Sequence, residues 1–224
     1  METISERLAA IRLEMDRIAH RSSRRAQDIE LLCVSKTQDA SRIQQALAAG
    51  QRLFGENRVQ EAQDKWPALQ QTYPDAKLHL IGPLQSNKAR QAVELFDVIE
   101  TIDRPKIAQA LAHEIQRAGK AVEMFIEINI GSEPQKAGIL PQNADLFIKQ
   151  CREDYGLSVK GLMCIPPQGQ QAAPHFAFLA QIAKRNEVPG LSMGMSADYP
   201  IAIQLGATLI RLGTAIFGER AKIE

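Results

Sequence analysis

Short apolar runs alternate with longer amphipathic stretches along the whole chain. The runs "LLCVS" (31–35), "RLFGE" (52–56), "LHLIG" (78–82), "DVIET" (97–101), "VEMFIEINI" (122–130), "SVKGLMCI" (158–165), "LSMG" (191–194) and "TLIRLG" (208–213) are rich in Val, Ile and Leu. Each is bounded by Gly, Pro or polar residues, which predicts eight strands. Between them, "DASRIQQALAAG" repeats apolar positions at helical spacing, with Asp39 or Ser41 available as N-cap and Gly50 as C-cap. "RPKIAQALAHEIQRAGK" does the same, with Pro105 in its first turn and Gly119 as its stop. Strands and helices alternating at this rhythm give parallel strands joined by helical crossovers. Eight such units without a composition break favour an α/β fold, a single (β/α)8 TIM barrel filling residues 1–224 as one domain, over a doubly wound open sheet. The amphipathic start "METISERLAAIRLEMDRIAH" is then an extra N-terminal helix capping the barrel.

A parallel barrel places its chemistry at the C-terminal ends of the strands. The residues falling there are Lys36 after the first run, Asn57 after the second, Gly82 to Asn87 after the third and Asn129 after the fifth. Met163 follows the sixth, Ser196 the seventh, and Gly213 with Thr214 the eighth. Lys36 sits where a buried strand gives way to a loop, a place that means either surface exposure or chemistry for an amine that is costly to bury.

"GLSMGMSAD" (190–198) and "TLIRLGTAIFGER" (208–220) follow the last two strands, where barrels commonly hold a phosphate on backbone N–H groups. Gly194 and Gly213 permit close approach of the backbone, and Ser196 and Thr214 add hydroxyl donors; ordinary turn chemistry is the plainer reading. Arg211 is the odd residue inside the otherwise apolar "TLIRLG", so it must meet either an anion or a structural salt bridge. The first and eighth strands of a closed barrel are neighbours, so Lys36 and Arg211 face one small volume. A lysine amine, a phosphate cup and a buried arginine together suit pyridoxal 5′-phosphate. Other candidates have structural alternatives: Asn57 as an N-cap, Ser86 or Asn87 as caps, His79 as a satisfied core histidine, and Lys136 as a solvated loop lysine.

Composition narrows the field further. Lys+Arg 27 against Asp+Glu 26 leaves a net charge of +1, with no field to draw in nucleic acid or an anionic membrane. Cys33, Cys151 and Cys164 form no C-x-x-C pair, which points to a reducing compartment. The start is neither a signal nor a transit peptide and no run is long and apolar enough to span a bilayer, so a cytoplasmic location is expected. Metal-ligand clusters, a Ser/His/Asp triad and a phosphate-binding G-x-x-x-x-G-K-[ST] are not found.

The set "VSKTQ", "FGENRVQEA", "HLIGPLQSNK", "GLMCIPP", "LSMGMSAD" and "GATLIRLGTAIFG" resembles the pyridoxal phosphate homeostasis protein family, single-barrel relatives of the N-terminal domain of alanine racemase. Six motifs in order cover residues 30 to 220. The resemblance implies a fold-type III barrel with pyridoxal phosphate on Lys36 as a Schiff base. It also implies phosphate contacts from Ser196, Gly213 and Thr214, Arg211 against the ring nitrogen, and Asn57, His79 and Met163 around the cofactor. The implied role is intracellular balance of vitamin B6 without established turnover, by a monomer whose protein partners are apo-enzymes that take up the cofactor. Two departures, Tyr199-Pro200 and the "QKAG" around Lys136, touch no proposed cofactor contact.

An amino-acid racemase is the alternative, and it needs two acid/base groups on opposite faces of the substrate carbon. Lys36 supplies one. In the racemases that the chain resembles, the other is a tyrosine from a second domain, and Tyr73, Tyr155 and Tyr199 here fall in helical or loop segments. A holder of the cofactor is therefore expected rather than an enzyme, with a barrel enzyme acting on a phosphorylated sugar as the third reading.

Overall fold

All eight apolar runs form strands, because each supplies enough consecutive β-branched and apolar residues to be covered on both faces of a parallel sheet. In the computed structural model, which describes residues 2–218, these are β1 (Glu30–Val34), β2 (Leu53–Glu56), β3 (Lys77–Leu80), β4 (Val98–Ile102), β5 (Glu123–Ile128), β6 (Val159–Cys164), β7 (Gly190–Ser192) and β8 (Leu209–Leu212). They pair in parallel in sequence order, and β8 returns to β1 with Leu32 opposite Arg211, so the sheet is a closed barrel and not an open one. The last two residues of the stretch 208–220, Glu219 and Arg220, lie outside the described residues.

The crossovers are α2 (Ala40–Ala48), α3 (Val59–Thr72), α4 (Ala89–Leu95), α5 (Pro105–Ala118), α6 (Ala144–Glu153), α7 (Ala172–Arg185) and α8 (Tyr199–Gln204), with α9 (Thr214–Phe217) after the last strand and α1 (Ile4–Arg21) before the first. Their ends follow the sequence signals. Asp39, rather than Ser41, caps α2 by accepting from the Arg42 N–H at 2.9 Å, and Gly119 ends α5 in the left-handed region at φ 63°. The α1 helix starts on a capping box between Thr3 and Glu6 and buries Ile4, Leu8, Ile11, Met15 and Ile18.

That helix does not cap an end of the barrel as expected. It packs against α2, α8 and α9 on the outside, over the seam where β8 meets β1. Arg7 donates to the Ile216 carbonyl after β8, whereas Arg12 donates to Gln51 before β2, so α1 runs the length of the barrel wall. The reason is coverage: α8 has only six residues, too short to cover the seam alone.

The main core, including Trp66, Phe54, Phe96 and Phe176, lies between sheet and helices. Inside the barrel, Val98, Phe125 and Met163 make a separate small cluster. Gly161 makes room for it, since a Cβ there would lie 2.0 Å from the Phe125 ring.

Candidate functional site

The turn after β1 carries Lys36 and is held from several sides. Thr37 adopts φ 62°, and its N–H donates to Glu61 of α3 at 2.5 Å. The Lys65 ammonium, one turn further along α3, donates to the carbonyls of Ser35 (3.1 Å) and Gln38 (3.3 Å), bracketing Lys36. Lys65 is itself fixed by Glu56 and Glu61, each at 2.8 Å. Glu56, fully buried at the end of β2, also accepts from Ser35 Oγ (2.7 Å) and Trp66 Nε1 (3.1 Å). A left-handed threonine costs of order 1–3 kcal/mol and persists only where its surroundings over-determine it, as these contacts do. Lys36 itself is half-buried.

Beside it, at the C-terminal rim, lies a cavity of about 240 Å³. Its walls bring together Lys36, Asn57, Ser196, Arg211, Gly213 and Thr214 with the apolar side chains of Val34, Ile81, Ile165 and Met195. Six of the eight residues expected around the cofactor thus share one volume. Asn57 is not the N-cap of α3, a position that Arg58 takes without a side-chain bond. Gly82 lets the next loop pass close, because a Cβ there would lie 2.2 Å from the Asn57 carbonyl oxygen. Gly213 sits over Val34, 3.3 Å from its carbonyl oxygen to an added Cβ, so a larger residue would crowd the junction of β1 and β8.

His79 and Met163 do not line this cavity. Met163 lies inside β6 rather than after it, in the barrel's apolar cluster. His79 is buried in β3, with Nδ1 2.7 Å from Glu100 Oε1. Asn129 organises its own loop, donating to the Glu133 and Lys136 carbonyls and accepting from the Glu133 N–H. Lys136 is paired with Glu133 at 2.5 Å and donates to the Pro166 carbonyl, so it is not simply solvated. Lys88 faces a separate, larger hollow of about 640 Å³ with Arg58 and Arg104.

Arg211 is buried, and its cationic charge is met by neutral acceptors: Nη1 donates to Ser192 Oγ at 2.6 Å and Nη2 to the Cys164 carbonyl at 2.9 Å. Behind Ser192 stands Glu100, which accepts from the Ser192 hydroxyl. Burial works against the Glu100 carboxylate, but the bond and charge of His79, the charge of Arg211 and the Ser192 hydroxyl outweigh it and hold its pKa below the usual range. Glu127 on β5 goes the other way: burial, aided by the charge of Asp103 and opposed by that of Arg211, pushes it up to about 7. Glu100, Ser192 and Glu56 were not singled out by the sequence, although an acid in each of two apolar strands was the available signal. The three cysteines are free and buried, and burial pushes the thiols of Cys151 and Cys164 up to about 12. Among the described residues no cluster of His, Cys, Asp and Glu could hold a metal, and no helix is long and apolar enough to cross a membrane.

A closed (β/α)8 barrel with a lysine after the first strand and an arginine in the eighth defines a barrel of the alanine racemase type. The model of the family "Alanine racemase, N-terminal domain" matches residues 7–221. Relatives include the pyridoxal phosphate homeostasis proteins of Escherichia coli (strain K12), 39% identical, and of Vibrio cholerae, 37% identical, each alignment covering 98% of this chain and 98% of the relative. Among solved structures, PipY of Synechococcus elongatus PCC7942, with PLP bound, superposes with a TM-score of 0.82 at 37% identity, over 96% of this chain and 100% of that one. Alanine racemase of Clostridium difficile 630 superposes with a TM-score of 0.70 over 96% of this chain and 57% of the racemase; at 14% identity this is a likeness of fold. The chain therefore belongs to the alanine racemase N-terminal domain family and, within it, to the pyridoxal phosphate homeostasis proteins.

Proposed function

We propose that this chain binds pyridoxal 5′-phosphate in the rim cavity, on Lys36, and serves the intracellular balance of vitamin B6 as a holder of the cofactor rather than as an amino-acid racemase. The observation that carries this is the donor set of the cavity: one primary amine, one buried guanidinium, two hydroxyls and a glycine turn around about 240 Å³. Each suits a different part of the cofactor, which supplies an aldehyde for an amine, a phosphate dianion and a pyridine nitrogen when bound.

Lys36 offers the amine from a turn whose backbone is held on both sides by Lys65 and Glu61. Ser196, Gly213 and Thr214 present hydroxyls and backbone N–H groups to a phosphate, and charge-assisted bonds of that kind are worth roughly 1.5–3 kcal/mol each. Arg211 stays protonated and donates, so it can bond an unprotonated ring nitrogen but cannot protonate it. A ring nitrogen left unprotonated withdraws electrons weakly, which disfavours carbanion chemistry. Among the described residues, no carboxylate, histidine or tyrosine lines the cavity with Lys36. A second acid/base group, which racemisation requires, is therefore not supplied by these walls. The partners of such a holder are the cofactor and the apo-enzymes that accept it, in the cytoplasm, with the chain acting as a monomer.

Two measurements test the reading together. Titration with pyridoxal phosphate should develop visible absorption at one equivalent, and the loaded protein should exchange the α-proton of alanine for deuterium no faster than the free cofactor does. Rapid wash-in that disappears in Lys36→Ala would replace the holder with a racemase.

A further inference from the structure

Buried polar residues cross the inside of the barrel from β8 to β3 in an unbroken chain. Arg211 Nη1 donates to Ser192 Oγ at 2.6 Å, the Ser192 hydroxyl donates to one oxygen of Glu100, and the other oxygen of Glu100 lies 2.7 Å from His79 Nδ1. All four are buried, Glu100 and Ser192 completely. The residues come from four strands, β8, β7, β4 and β3, and only Arg211 reaches the cavity wall.

The chemistry of the four groups fixes the direction of the chain. A guanidinium has no lone pair to offer, so Ser192 Oγ must accept from it. The single hydroxyl proton is then directed to Glu100, and an ionised carboxylate is the partner that keeps it there. A buried carboxylate with no partners would be costly, and here it is met from both ends, by the Arg211 cation through the serine and by the His79 ring directly. The other acid that feels the charge of Arg211, Glu127 on β5, does not share this position: Arg211 Nη1 and Nη2 bond Ser192 and the Cys164 carbonyl instead. Its partners outweigh burial and hold Glu100 below the usual carboxylate range, while burial pushes Glu127 up to about 7, so the carboxylate tied to the serine is the one that stays charged.

We infer that Glu100, acting through Ser192, is the positioning residue that aims Arg211 at the ring end of the cavity, with His79 fixing Glu100 from behind. Two of the guanidinium's nitrogens are committed to Ser192 and the Cys164 carbonyl, so its plane is set by the barrel and not by the ligand. The nearby anion also offsets the arginine's charge. That end of the cavity therefore offers a directed donor for a neutral ring acceptor, while the dianionic phosphate goes to the Ser196, Gly213 and Thr214 end. The inference rests on the proposed cofactor.

The test compares the affinity for pyridoxal phosphate with that for 1-deazapyridoxal 5′-phosphate, whose ring has carbon in place of nitrogen, in the full chain and its variants. The wild type should prefer pyridoxal phosphate by roughly tenfold or more, the value of a hydrogen bond to a charged donor. Ser192→Ala should bring that preference to within about twofold of unity, Ser192→Thr should restore it, and Glu100→Gln, which keeps the shape and removes the charge, should reduce it as well. A merely structural role would weaken both ligands by the same factor and leave the ratio unchanged, and that result would overturn the inference. So would a wild type that binds the two ligands equally well, a result that needs no variant to fold. A wild type that binds neither would instead refute the cofactor reading itself.

Discussion

Replacing Glu56 by leucine should cost about 3 kcal/mol of stability and loosen the turn that presents Lys36. The carboxylate is fully buried and accepts from three donors, Ser35 Oγ, Trp66 Nε1 and the Lys65 ammonium. Losing it orphans the indole N–H, which is buried with the rest of Trp66, at about 1–3 kcal/mol, and the Ser35 hydroxyl, whose other acceptor is a Gly55 carbonyl at 3.5 Å. Lys65 keeps Glu61 and two carbonyls, so it contributes less than the roughly 3–5 kcal/mol of a buried charge stripped of its only partner. An offsetting gain comes from Glu56 Oε2, a buried oxygen with no hydrogen-bond partner whose removal returns about 1 kcal/mol. The net of about 3 kcal/mol corresponds to a fall in Tm of roughly 6–12 °C for a domain of this size. Urea denaturation measures it as a lower midpoint at unchanged slope. Glu56→Gln, which keeps acceptor and shape, should lose about half as much. A leucine variant within about 1 kcal/mol of wild type would show that the hub contributes nothing net and that the Lys36 turn is held by other means.

Gly161→Ala should destabilise by about 1–3 kcal/mol, since its methyl would meet the Phe125 ring at 2.0 Å; thermal unfolding decides it, and a neutral change would mean that the barrel interior yields freely. Glu127 has a folded pKa raised to about 7, so its neutral form stabilises the fold below the unfolded carboxylate value near 4.5 and that contribution is lost as pH rises through about 7. Glu127→Gln should therefore flatten the loss of stability between about pH 5 and 8, whereas an unchanged profile would refute the assignment. Pyridoxal without its phosphate should bind at least a hundredfold more weakly than pyridoxal phosphate, and equal affinities by fluorescence titration would refute the phosphate cup proposed for Ser196, Gly213 and Thr214.

Much of this was legible in the sequence because the relevant signals are local. A strand is marked by its own apolar run; Arg211 stands out by interrupting its run and Lys36 by following directly on the end of its own. The depth of a side chain within the barrel is not local. His79 lies in β3 as expected and Met163 within β6 rather than after it, yet both sit among interior residues and not along the cavity, because a period of two fixes the face of a strand and not the layer that meets the rim. The link between Ser192 and Glu100 joins residues 92 positions apart, so nothing in either run announces it. The α1 helix shows the same limit: its stripe of Ile4, Leu8, Ile11, Met15 and Ile18 says that one face is buried but not which surface covers it. Here the answer depends on how short α8 is.

The central claim is that Lys36 is the residue that holds pyridoxal phosphate. Borohydride reduction of the loaded protein, followed by proteolysis and mass mapping, tests it directly. The account predicts one cofactor per chain, fixed on the peptide that contains Lys36, with Arg42 as the nearest basic cleavage site after it. Label on Lys88 or Lys136 in the wild type, with Lys36 unmodified, would contradict it.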